Sequence, residues 1–128
     1  MKGLVLFAHG STVTSANDAV GAVTQQLCKR TGLPVETAFL DCSPPTLADA
    51  VAALVTKGVT DVLVVPYFLT TGIHLKRDLP RLVDELRPIY LHVQISVAEP
   101  LDGHPALLDV LVDRSMQKGG GRSEGPAN

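Results

Sequence analysis

Val62-Leu63-Val64-Val65-Pro66-Tyr67-Phe68-Leu69, running into Thr70-Thr71-Gly72-Ile73 and then His74, is the stretch that decides the fold. A continuous apolar run of this length, rich in β-branched and aromatic residues and bounded by turn residues, reads as a buried strand. A second run, Gly3-Leu4-Val5-Leu6-Phe7-Ala8, ends the same way at His9-Gly10-Ser11-Thr12. If both strands lie in one parallel sheet, both histidines leave it at the carboxyl edge, where open α/β sheets place their ligands. Neutral imidazole is the commonest protein ligand for a transition metal, so the pair predicts a two-histidine site.

Outward from these runs the hydrophobic period alternates between short apolar stretches and helical spacing, the pattern of βαβ units. Residues 2–8 read as a first strand and residues 15–31 as a helix with Val20, Val23, Leu27 and Cys28 inward, ended by Gly32-Leu33-Pro34. Residues 35–41 read as an edge strand. Ser43-Pro44-Pro45 reads as a helix start, with serine as N-cap and proline at the first helical position. That helix runs to about Lys57, with Leu47, Val51 and Leu54 inward. Residues 60–68 form the central strand. A third helix over residues 76–87 carries the stripe Leu79, Leu82, Val83 and Leu86, with Pro80 tolerated only near its first turn. A strand at residues 90–98 and a helix from Pro105 to about Met116 complete four repeats.

The predicted architecture is a single α/β domain over residues 1–116, a four-stranded and mainly parallel sheet with helices on both faces. Residues 117–128, with Gly119-Gly120-Gly121 and almost no apolar content, read as a disordered tail.

Composition narrows the partners. A chain of 128 residues, 45% hydrophobic and 19% charged, suits one self-sufficient core. A formal net charge of -2, without a basic stripe interleaved with aromatics, argues against nucleic acid. No apolar run reaches membrane-spanning length and no signal-peptide pattern opens the chain, so the expected location is the cytoplasm. Cys28 and Cys42 are too few and too far apart for a disulfide framework.

The strand ends collect His9, Gly10 and Ser11, then Asp41 and Cys42, then Thr70, Thr71, Gly72 and His74, then Glu99. The set lacks a dinucleotide fingerprint, a phosphate-binding Walker sequence and a Gly-x-Ser-x-Gly elbow, so no organic cofactor is expected. His74 precedes a helix whose positive dipole end keeps imidazole neutral, fit for a metal or a proton. Lys76, Arg77 and Arg81 follow it and can meet the carboxylates of an acidic small molecule. His92, alternating with Leu91 and Val93, belongs to the polar face of the fourth strand, and His104 to a helix start.

Leu6-Phe7-Ala8-His9-Gly10-Ser11, Ala38-Phe39-Leu40-Asp41 with Pro45-Thr46-Leu47, and the segment from Val64 to Pro80 together resemble the sirohydrochlorin cobaltochelatases and ferrochelatases. The likeness is to the small, single-domain form of the class II chelatases. It implies insertion of a divalent metal, cobalt or ferrous iron, into sirohydrochlorin during cobalamin or siroheme synthesis. It also implies that His9 and His74 bind the metal or accept protons. Asp41 stands where the family commonly has glutamate, a carboxylate longer by one methylene. Ser11, Thr70, Thr71, Lys76, Arg77 and Arg81 become expected contacts to the tetrapyrrole, and the metal, whether cobalt, iron or nickel, is a substrate. One small lobe gives a flat macrocycle a single wall, so a homodimer is expected. Two other readings fit the residues: a non-catalytic metal-binding or delivery module, and a domain binding a phosphorylated metabolite through the amides of Ser11, Thr70 and Gly72.

Overall fold

The computed structural model describes residues 1–69 and 72–118, and for residues 73 and 74 the backbone alone. Four strands alternate with four helices: β1 (Lys2–Ala8), α1 (Thr14–Thr31), β2 (Val35–Phe39), α2 (Leu47–Thr56), β3 (Asp61–Pro66), α3 (Ile73–Leu86), β4 (Gln94–Val97) and α4 (Pro105–Ser115). The strands form one sheet in the order β2-β1-β3-β4, and all three pairings are parallel. β1 and β3 are therefore the interior strands and β2 an edge, as the apolar runs predict. The chain steps to one side of β1 to make β2 and to the other to make β3 and β4. The β1–β3 junction is thus the topological switch point, where a crevice opens beyond the carboxyl ends.

Alternation along β1 divides the core. Val5 and Phe7 face one side with Val62 and Val64, covered by Leu47, Val51 and Leu54 of α2 and Leu75, Leu79, Val83 and Leu86 of α3. Leu4 and Leu6 face the other, covered by Val20, Val23, Leu27 and Cys28 of α1. Helices thus lie on both faces. α1 ends at Gly32, whose φ of 70° is the left-handed C-cap and whose N–H bonds the Cys28 carbonyl, as predicted.

Several boundaries move, each for a local reason. Ser43 is not the N-cap of α2. Pro44 precedes another proline, which pushes it out of the helical region, and the Pro45 carbonyl accepts the Phe39 N–H at 2.8 Å. The helix starts instead at Thr46, whose hydroxyl accepts from the Asp49 N–H while the Asp49 carboxylate accepts from the Thr46 N–H, a complete capping box. β2 ends at Phe39 rather than at residue 41.

α3 begins at Ile73, not at residue 76, because Gly72 takes the extended N-cap conformation and Leu75 extends the buried stripe one turn back from Leu79. Pro80 consequently sits in the helix interior, where its missing N–H leaves the carbonyl of Lys76 without its helical partner. β4 is four residues long. Ile89 and Tyr90 still bond the Leu86 carbonyl at 3.0 and 3.2 Å, so residues 87–92 form the exit of α3. His92 therefore lies exposed in a turn, not on a strand face. His104 is the N-cap of α4, its Nδ1 accepting from the Ala106 N–H at 3.0 Å. Of the expected tail, residues 119–128 lie outside the described residues.

Candidate functional site at the switch point

Backbone hydrogen bonds lock the exits of β1 and β2 together. The Leu40 N–H donates to the Ala8 carbonyl and the Asp41 N–H to the His9 carbonyl, both at 2.9 Å. Between them Gly10, at φ 93°, passes so close that a Cβ there would stand 2.0 Å from the Asp41 carbonyl oxygen. Only glycine allows both this dihedral and this approach. The sequence places His9 and Asp41 at strand ends, and the structure makes those ends neighbours through main-chain contacts.

His9 is exposed at this edge. Its Nδ1 lies 3.2 Å from the Gly10 carbonyl oxygen. For a neutral ring, a bond to a carbonyl requires the proton on Nδ1, which leaves the Nε2 lone pair free for a metal or a proton. The ring also meets Phe68 edge-on, with centroids 6.4 Å apart and planes at 79°. Phe68 in turn packs on buried Phe7 at 6.1 Å. The Tyr67 N–H bonds the Phe7 carbonyl at 2.7 Å, which carries the β3 exit alongside the β1 exit. Phe68 was hidden in the sequence because it reads as one more residue of an apolar strand; its contact with His9 follows only from the β1–β3 pairing.

Asp41 is exposed, with Oδ1 accepting from the Cys42 N–H at 2.8 Å. Cys42 is exposed and holds a φ of 70°. The local bond engages one carboxylate oxygen. Ser11 is held by Asn17, whose Oδ1 accepts the Ser11 N–H at 3.0 Å and whose Nδ2 donates to the Ser11 carbonyl at 2.8 Å. The Ser11 hydroxyl oxygen accepts the Val13 N–H at 3.0 Å, so its own proton remains to be donated. Nothing in the α1 pattern marks Asn17, a polar residue in the first turn of a helix.

The backbone places His74 second in α3, within its first turn, not in the loop before it. Its side chain, and Thr70 and Thr71 altogether, lie outside the described residues. Lys76, Arg77 and Arg81 are exposed along the same helix. Asp78 gathers the two arginines, with Oδ1 3.7 Å from Arg77 Nε and 3.4 Å from an Arg81 guanidinium nitrogen. Such exposed pairs add little stability, but they hold two cations side by side. Lys76 lines a groove of about 380 Å³ between α3 and β4. Glu99 follows β4, with β3 between it and β1. Among the described residues no group of three or more His, Cys, Asp or Glu side chains forms a metal cage, and no helix is long and apolar enough to cross a membrane.

The CbiX family model matches residues 3–118. A sirohydrochlorin cobaltochelatase from Saccharolobus solfataricus is 36% identical over 120 residues, covering 89% of this chain and 93% of that one. Another from Priestia megaterium is 32% identical over 99% of this chain, which spans only 41% of its length. Among solved structures, a CbiX protein from Marinobacter aquaeolei VT8 superimposes with a TM-score of 0.80 at 26% identity, over 90% of this chain and 94% of that one. SirB from Bacillus subtilis with Fe3+ does so at 0.81 and 27% identity, over 88% of this chain and 45% of that one. A SirB from a Bacillus subtilis subspecies in complex with cobalt matches at 0.78, over 89% and 49%. With the family model spanning nearly the whole described lobe and full-length relatives above 30% identity, the chain belongs to the CbiX family.

Proposed function

We propose that this protein inserts a divalent metal, cobalt or ferrous iron, into sirohydrochlorin in the cytoplasm. The observation that carries the reading is His9 at the switch point, its Nδ1 turned to the Gly10 carbonyl and its Nε2 left free, on a chain similar to sirohydrochlorin cobaltochelatases. Insertion hands a metal ion to four pyrrole nitrogens while two N–H protons leave. The site therefore needs neutral bases that also bind a borderline metal. Imidazole does both near neutral pH. His9 and His74 bind the incoming ion or take the pyrrole protons, and the free carboxylate oxygen of Asp41 assists as ligand or proton acceptor. The acetate and propionate groups of the macrocycle meet Lys76, Arg77 and Arg81, with Asp78 keeping the two guanidinium groups paired. Ser11, Thr70 and Thr71 donate hydrogen bonds at the rim.

The direct test is absorption spectroscopy of sirohydrochlorin incubated with protein and either Co2+ or Fe2+. Conversion faster than the protein-free rate is expected with at least one of the two. Tight metal binding with no acceleration in either series would select the delivery-module reading instead.

Asp41 can be separated from its turn. In Asp41→Asn the amide oxygen still accepts the Cys42 N–H, so the thermal midpoint should stay near wild type. Loss of the basic carboxylate should cut insertion by about tenfold or more. Asp41→Glu, which restores the length common in the family, should keep most of the activity. A wild-type rate for the asparagine variant would remove Asp41 from the chemistry.

A further inference from the structure

His9 stands exposed at the sheet edge, and an exposed side chain samples its rotamers within nanoseconds. The chemistry assigned to it requires the opposite, a lone pair that stays aimed at one point. The bond to Gly10 cannot supply this alone. At 3.2 Å it lies at the long end of the hydrogen-bond range, and its acceptor belongs to the next residue of the same loop. That bond decides which nitrogen carries the proton; it does not hold the plane of the ring.

A second contact comes from another strand. Phe68, two residues beyond the end of β3, meets the imidazole edge-on with centroids 6.4 Å apart and planes at 79°, within the separation over which aromatic rings attract in this arrangement. Phe68 is itself anchored. Its half-buried ring packs at 6.1 Å on Phe7, which is fully buried in the core. The residue before it is tied to β1, where the Tyr67 N–H donates to the Phe7 carbonyl at 2.7 Å. Three rings therefore run in line from the core to the exposed histidine, and Phe68 is the link between them.

We infer that Phe68 is a positioning residue that holds the His9 ring in the plane where Nδ1 meets the Gly10 carbonyl and Nε2 stays presented to the site, a role whose catalytic consequence rests on the chelatase reading. Without that ring the imidazole is free to turn about both of its side-chain bonds. A half-turn about Cβ–Cγ carries Nδ1 away from the Gly10 carbonyl and puts a carbon where Nε2 stood. Leucine at position 68 would still cover Phe7, but it has no ring to meet the imidazole. The role is thus separable from plain packing.

The ring is read first without metal or substrate, by nitrogen NMR of the histidine side chains in the full chain at about pH 8, where an unperturbed imidazole is neutral. The His9 signals, identified by their loss in His9→Ala, should show one tautomer with its proton on Nδ1. In Phe68→Leu they should move to the averaged position of two exchanging tautomers. Phe68→Met, unbranched and able to fill an irregular gap, should do the same and serves where the leucine variant does not fold. An unchanged His9 spectrum in either folded variant would overturn the proposal. Turnover is read second. Phe68→Leu should lower kcat for insertion by about fivefold, less than the ~100-fold that a misplacement of about 1 Å can cost, with KM for sirohydrochlorin near wild type. Introduced into His9→Ala, the same substitution should change kcat by less than about twofold, because residues that act through one another are not additive. An equal loss in both backgrounds, or a raised KM at unchanged kcat, would overturn the positioning role. A wild type that inserts no metal while the spectral change persists sinks the chelatase reading and leaves Phe68 as the holder of the His9 ring.

Discussion

His9→Ala and His74→Ala should each lower the rate of metal insertion by at least about tenfold, the low end of what a positioned acid-base group or metal-shell residue contributes. The fold should not suffer. His9 is exposed and its described polar contact is the bond to Gly10 beside it, and His74 lies in the first turn of α3, where Leu75 and Leu79 supply the buried anchors. His92→Gln is the matched control, because His92 sits exposed in the turn before β4 and should leave the rate unchanged. Rates are read from the sirohydrochlorin spectrum, with thermal midpoints alongside. Near wild-type turnover in both alanine variants would abolish the two-histidine site. A large loss in the His92 variant at normal stability would move the site elsewhere.

Gly10→Ala is the most damaging small substitution expected at the edge. The new methyl would meet the Asp41 carbonyl oxygen at 2.0 Å, and the dihedral of 93° disfavours any side chain. The β1 and β2 exits must separate, breaking the bond from the Asp41 N–H to the His9 carbonyl and displacing the side chains of His9 and Asp41. The expected cost is at least about 2 kcal/mol of stability, together with loss of most insertion activity. Gly32→Ala provides the comparison. It shares a positive φ, 70°, but meets nothing within 4 Å, so it should cost about 1–2 kcal/mol and leave insertion intact. Equal effects at the two glycines would show that the close approach at Gly10 is unimportant.

Much of this arrangement was legible in the sequence because it rests on burial. The runs at residues 3–8 and 62–69 read as two buried strands, the second of them central, and their common ending in histidine points to the carboxyl edge. Legibility failed where backbone geometry decides between alternatives of similar composition. Ser43-Pro44 offered a good start for a helix, yet a proline following Pro44 excludes it, and the reciprocal bonds of Thr46 and Asp49 win. At α3 the sequence pattern puts the start at residue 76, with Pro80 near the first turn, while burial of Leu75 draws the helix back to Ile73 and tolerates proline inside. Around residue 92 the alternation of Leu91, His92 and Val93 imitates a strand; Tyr90, bonded to Leu86, makes it the exit of a helix. The supports of the site, Asn17 under Ser11 and Phe68 against His9, join residues whose proximity depends on how loops and strands are juxtaposed, which no local periodicity encodes.

The clamp between the two strand exits is made of peptide groups: the carbonyls of Ala8 and His9 receive the amides of Leu40 and Asp41. Side chains at positions 9 and 41 contribute nothing to it, so architecture and chemistry are written in separate alphabets. The carboxylate at position 41 can therefore be lengthened or shortened without disturbing the bonds that hold the sheet edge. Gly10, by contrast, belongs to the clamp itself, because any side chain there would stand against the Asp41 carbonyl oxygen.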